Sequence, residues 1–200
     1  RPRTTYANCR AVSPRRLEVR GAVSVAVHVT GDRRQEVIQD VFGMHVQLRK
    51  VPVEYAAQKR RAVKHILLNE DVELGASKPP IRSIVRSSVR LGHEEHSILA
   101  GKLVAKGEAS VQFLYTWQQE DGTNGMEQMQ FTVPYSQIVD MAQIDDTYRG
   151  SVDAQVIRCD IKPCPGKGGS MDSVQCEIEL RLCCTCLLYT SPSPRDRSLS

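Results

Sequence analysis

Long apolar runs are missing from this 200-residue chain. None approaches the ~20 residues that a membrane-crossing helix needs, so no transmembrane segment is expected. A charge of one sign is missing too: 27 Lys and Arg stand against 23 Asp and Glu, a net +4. The basic residues are interspersed with acidic ones, apart from short runs such as Arg15-Arg16 and Lys59-Arg60-Arg61, which is ordinary surface solvation. Aromatic residues make up only 5% of the chain and do not interleave with a basic patch, so no nucleic-acid partner is expected. Helical periodicity is nearly absent. Only Tyr55–Arg61 (YAAQKRR) has a helical composition, and it is too short to stand unpacked, so it reads as a connector or the start of a strand. Without strands alternating with long helices, an α/β fold is not expected.

The two ends need separate treatment. The chain starts at Arg1 without a Met or a signal-peptide pattern, and both natural ends are expected to lie outside it. Cys186–Asp196 reads CLLYTSPSPRD, which resembles the in-frame translation of a transposase-based sequencing adapter. Residues 186–200 are therefore expected to be an adapter-derived artefact. A natural Ser/Pro-rich tail is the other reading of that composition.

What is present is alternation. Leu17, Val19, Gly21, Val23, Val25, Val27 and Val29 share one face of an extended segment, with polar residues between them, the mark of a half-buried strand. Gly31-Asp32 offers a turn, with Glu36–Val41 as a hairpin partner, and His45–Val53 alternates again. Further strands are expected over Ala62–Leu74, Ile84–Leu91, Ile98–Trp117 (long, or a bent pair), Met129–Val133, Val152–Val156 and Cys176–Leu182. Gly92–His96 reads as a charged turn between two of these strands. Gly101 and Gly107 suggest bends or bulges, and Asp121–Gly125 is a strong turn signal. The expected fold is all-β, a β-sandwich-like domain of short antiparallel strands.

No residue cluster announces catalysis. His93-Glu94-Glu95-His96 has its histidines three apart on a turn, whereas a metalloprotease site needs them four apart on a helix. Ser136 lacks a nearby histidine, and a hydroxyl without a base is a poor nucleophile. Asp140, Asp145 and Asp146 lack the ligand spacing of a calcium loop, and Gly166–Gly169 lacks the phosphate-loop pattern. Six of seven cysteines follow residue 158. Cys159 and Cys164 are loosely spaced for zinc, and the favoured reading is small apolar fillers in strands. A strand there places Cys176 and Cys184 on one face and Cys183 on the other. Neither an enzyme nor a cofactor is expected.

Several spaced elements, in order, resemble the SPOCS domain of SipL-type spore-coat morphogenesis proteins. They are Lys78-Pro79-Pro80, Ile84-Val85-Arg86, Ala100-Gly101-Lys102-Leu103-Val104, Phe113-Leu114-Tyr115 and Pro134-Tyr135-Ser136-Gln137-Ile138-Val139-Asp140. The resemblance covers about residues 62–185. A fainter echo relates Cys9–Pro14 to Cys159–Pro163, and a competing register sets Arg15–Val29 on Gly101–Tyr115, with Gly21 on Gly107. Residues 1–40 are accordingly expected to be the closing strands of an upstream SPOCS-like copy, and 41–61 a connecting strand and linker.

By this resemblance the chain would be a non-enzymatic structural module of spore-coat assembly in a spore-forming Firmicute. It would act in the mother-cell cytoplasm at the forespore surface, with other spore-coat morphogenesis proteins as partners and peripheral association with that surface. Partner contacts would use strand edges and loops, with His93, Glu94, Glu95, His96, Tyr135, Ser136, Gln137 and Asp140 as candidates, together with the Gln118–Gly125 loop. A glycan- or cell-wall-binding β-sandwich is the alternative, if Trp117 and Tyr115 stack on sugars rather than sit in the core.

Overall fold

A computed structural model describes residues 2–190 apart from 28, 30, 32, 35, 37, 39, 44, 46, 48, 50, 52 and 167. The chain divides into two units, Arg1–Val51 and Pro52–Ser200. Every regular element among the described residues is a β-strand.

Among its described residues the first unit holds one antiparallel hairpin, β1 (Pro2–Ser13) with β2 (Arg16–Val25). β2 carries the expected alternation, but its partner differs from the expectation. It pairs with Pro2–Ser13 across the two-residue turn Pro14-Arg15. The partner expected in Glu36–Val41 and the strand expected in His45–Val53 fall at alternate positions outside the described residues. Proline at the first turn position presets φ for the reversal.

The second unit contains six strands: β3 (Ala56–Glu73), β4 (Ser83–Leu99), β5 (Lys102–Gln118), β6 (Asn124–Asp140), β7 (Arg149–Cys164) and β8 (Ser173–Tyr189). They form two three-stranded antiparallel sheets, ordered β3-β8-β7 and β4-β5-β6. The all-β, sandwich-like expectation holds, with individual strands of 16–18 residues. The two central strands carry the core. On β5 the inward residues are Leu103, Ala105, Ala109, Val111, Phe113 and Tyr115, and on β8 they are Val174, Cys176, Ile178, Leu180, Leu182 and Cys184; all are 0–1% exposed. Burying this apolar area is the main drive for the two sheets to stack.

The sheets are also tied at both flanks. Lys64 Nζ on β3 donates to the Ile138 carbonyl on β6 at 2.8 Å. On the other flank Gly150 of β7 lies so close to β4 that a Cβ there would sit 3.0 Å from His96 Cδ2. One end is closed by the β3–β4 connection. Leu74 N donates to Asp172 O (2.7 Å) and Ile81 N to Met171 O (2.7 Å), while Leu74 and Ile81 pack on Phe113, Tyr115 and Val174.

Of the two readings of Tyr55–Arg61, the start of a strand holds, since β3 begins at Ala56. The run from Ile98 divides at a hairpin turn: Ile98 and Leu99 end β4, the chain reverses at Ala100-Gly101, where a φ of +74° suits glycine, and Lys102–Gln118 is the single long strand β5. Gly107 pairs in register with Tyr135 on β6, while the bulge at its level is carried by the neighbouring β4, between Gly92 and Glu95. β8 continues through Cys186 to Tyr189, pairing Leu187 with Lys59 and with Arg149. The strand end therefore lies beyond the boundary read at residue 186, and residues 191–200 lie outside the described residues.

Candidate interaction surface

The charged segment His93–His96 is not a turn. It is a bulge within β4, where Gly92 faces Glu108 and Glu95 faces Lys106, so two residues stand against Gly107 alone. An edge strand accommodates such a bulge because nothing pairs on its outer side. His93 takes the positive φ, +50°.

Strand pairing then brings the two halves of the expected site to opposite sides of β5. Glu95, Lys106 and Ser136 form one cross-strand row, and His96, Ala105 and Gln137 form the next. The outer members of each row are about 10 Å apart, two strand spacings. The candidates do not form one cluster, however, because successive residues on a strand face opposite ways. Glu95, Ser136 and Asp140 are exposed on the outward face, with Asp140 opposite Lys102. Tyr135 is buried on the inward side, where Gln137 is half-buried, and His96 lies along the β4 edge against Gly150. Burial first, and the Glu94 carboxylate second, hold the Tyr135 phenol protonated above the usual tyrosine range.

The residues that sequence reasoning passed over lie on the same outward face. Ser88, Gln112 and Gln130 form one row, and Arg90, Ser110 and Thr132 the next, with Gln130 Nε2 donating to Ser110 Oγ at 3.1 Å. Together with Glu95, Lys106, Ser136, Lys102 and Asp140 they make a broad hydroxyl, amide and charge surface. The signal was available: these are the polar positions of the same alternation that marked the core.

Other candidates have local roles. In the Gln118–Gly125 loop, Asp121 Oδ1 accepts from Thr123 N (2.8 Å) and Thr123 Oγ1 (2.6 Å), which holds its carboxyl below the usual range. Asp145 accepts from Thr147 N (3.0 Å) and from its hydroxyl, with the same effect. Both are side-chain turn closures. No histidine or carboxylate hydrogen-bonds Ser136 among the described residues, and no three His, Cys, Asp or Glu side chains come within metal-binding reach there. Cys176 and Cys184 point into the core and Cys183 outward, as the alternation implied. Cys176 shares a thiol hydrogen bond with Cys159 on the neighbouring strand, which makes Cys159 the more acidic of the two.

The motif residues quoted above are mostly architectural. Lys78 Nζ donates to Glu127 Oε1 (2.6 Å) and the Gln128 carbonyl (3.0 Å). Tyr115 Oη donates to the Pro79 carbonyl at 3.2 Å. Gly101 N donates to Ile144 O (2.8 Å) and its carbonyl accepts from Met141 N (2.9 Å), which fastens the β4–β5 turn to the loop after β6. Tyr135 covers Gly107.

Comparison with protein families gives a match, described as SipL, SPOCS domain, over residues 80–163, which spans β4 to β7. Among the curated proteins and the solved structures nothing matches the chain. Residues 80–163 thus match the SPOCS domain of SipL, which points to a sporulation-related protein.

Proposed function

We propose that this chain is a non-enzymatic structural module that binds other spore-coat morphogenesis proteins at the forespore surface, on the mother-cell side, and that its outward β4–β5–β6 face makes the contacts. The observation that carries this reading is the division of labour within the matched region. The motif residues Gly101, Tyr115 and Tyr135 close the sandwich, with Lys78 and Pro79 just before the matched region doing the same, and the intervening polar residues line one outward sheet face. A twisted sheet face lined by Ser, Thr, Gln and paired charges suits a polar, reversible protein contact. Its outward hydroxyl at Ser136 has Lys106 as its row neighbour, and no hydrogen bond joins the two side chains among the described residues.

The glycan reading depends on Trp117 and Tyr115. Tyr115 is fully buried, and Trp117 lies on Gly125, where a Cβ would come within 2.5 Å of the indole. Both rings are engaged in packing, which favours the protein-binding reading.

The test is localisation in sporulating cells. A fluorescent fusion of the chain should gather at the forespore surface, and Gln112→Arg with Ser136→Glu should disperse it while thermal unfolding stays unchanged. Retention on isolated peptidoglycan, with no forespore localisation, would replace the proposal by the glycan-binding one.

A further inference from the structure

The outward face of the β3–β8–β7 sheet is divided by charge. The residues that alternate with the buried ones face away from the core. Strand register arranges them in cross-strand rows, from Lys59, Leu187 and Arg149 at one end to Glu73, Ser173 and Cys164 at the other. Among the described residues, the first half of this face carries Lys59, Arg61, Arg149 and Arg181 against a single carboxylate, Asp153. The second half carries Asp71, Glu73, Asp160, Glu177 and Glu179. Arg158 and Lys162 offset them in part, through ion pairs with Asp160 at 3.3 and 3.2 Å. The sign changes between the row of His65, Arg181 and Gln155 and the row of Leu67, Glu179 and Arg158. Beside that line Val63 and Leu67 stand 51% and 53% exposed.

A partner of one sign would be attracted by one half of this face and repelled by the other. The same face turned end for end matches both halves. A twofold axis lying across the strands, between the Arg181 and Glu179 rows, sets the basic half of each copy on the acidic half of the other. It brings Arg61 over Asp71 of the second copy and Arg181 over its Glu179, and symmetry makes each contact twice. An axis along the strands would set like charge on like. Val63 and Leu67 then fall near the centre, where an interface is driest. Residues 59–73 with their partners on three strands cover roughly 50 by 14 Å, about 700 Å² per copy, which is near the low end for specific association.

We propose that this face is a self-association surface, on which a second copy of the chain docks about that twofold axis. The charged halves set the orientation, and the apolar centre supplies the contact that excludes water. The surface lies on the other sheet from the one assigned to coat-protein contacts, so either reading can fail without the other.

The test is sedimentation velocity of the full chain, with reductant present, from micromolar to millimolar concentration. A reversible dimer is expected at about 50 mM NaCl, weakened about tenfold or more at about 500 mM because exposed charges are screened. Arg61→Glu and Asp71→Arg should each weaken it by about tenfold or more. An equimolar mixture of the two variants should restore it as a heterodimer, since both contacts then join opposite charges. Both positions are exposed, so thermal unfolding should be unchanged in each variant. A chain that stays monomeric at millimolar concentration and low salt would overturn the proposal, as would a dimer that survives both substitutions. A mixture of the variants that stays monomeric would overturn it too, because Arg61 and Asp71 would not then face each other.

Discussion

The Tyr135 ring lies directly over Gly107, so close that a Cβ on the glycine would come within 2.5 Å of the phenolic oxygen. The two residues are paired across β5 and β6, and neither side chain size is free to change alone. Gly107→Ala should destabilise the second unit by about 1–3 kcal/mol through overpacking. Tyr135→Ala should cost about 3–5 kcal/mol through the cavity it leaves. In the double variant the overpacking disappears, so the two effects should fall short of additivity in urea unfolding.

The Lys78–Glu127 pair predicts an acid limb. Hydrogen bonding from Lys78 is the first cause that holds the Glu127 carboxyl below its ordinary value of 4.5. A depressed carboxyl stabilises the fold fully above its unfolded pKa and loses that contribution as pH falls through the folded one. Stability should therefore drop with acid below about pH 4.5, and Lys78→Met should make that drop shallower at low salt, as read from denaturant midpoints across pH.

The cysteines should separate by reactivity. Burial pushes the Cys184 thiol up to about 11, and Cys176 is raised as well, so both should resist maleimide in the folded chain. Exposed Cys9 should be labelled first. The hydrogen bond from Cys176 makes the half-buried Cys159 more acidic, so Cys176→Val should slow labelling at Cys159. Peptide mapping by mass spectrometry reads each site.

The faces of β5 should answer oppositely to the same substitution. Gln112→Arg on the outward face should change stability by no more than about 0.5 kcal/mol. Val111→Arg, one residue away and fully buried, should unfold the second unit, because an unpaired charge would enter the core. Circular dichroism melts distinguish the two.

The fold was legible where one face of a strand is buried against the other sheet. Period-two alternation marks β5 and β8 because their inward residues are excluded from water and their outward ones are not. Turn chemistry likewise identified Asp121–Gly125. The bulge at His93–His96 was not legible. A charged run with a neighbouring glycine has the composition of a turn, and only the register against Glu108 and Lys106 shows the strand carrying on. The geometry of the candidate surface was only partly legible: the residues named lie near one end of the sheet but divide between its two faces. Choosing whole segments such as Tyr135–Gln137 ignores the fact that adjacent strand residues point apart. The hairpin partner of β2 was misplaced because an upstream and a downstream segment offer the same local signals.

Among the described residues β8 is the last strand of the second unit, and it is the middle strand of its sheet, held between β3 and β7. The β4–β5–β6 meander closes through neighbours in sequence and is complete as soon as Asp140 has been made. The other sheet must wait: β3 finds its partner only when residues 173–189 appear, with Val63 pairing across to Cys183. During synthesis β3 therefore remains without its partner strand while the rest of the unit is made. Such long-range closure makes folding slow, and on the ribosome the emergence of β8 would set the moment at which this unit becomes a sandwich.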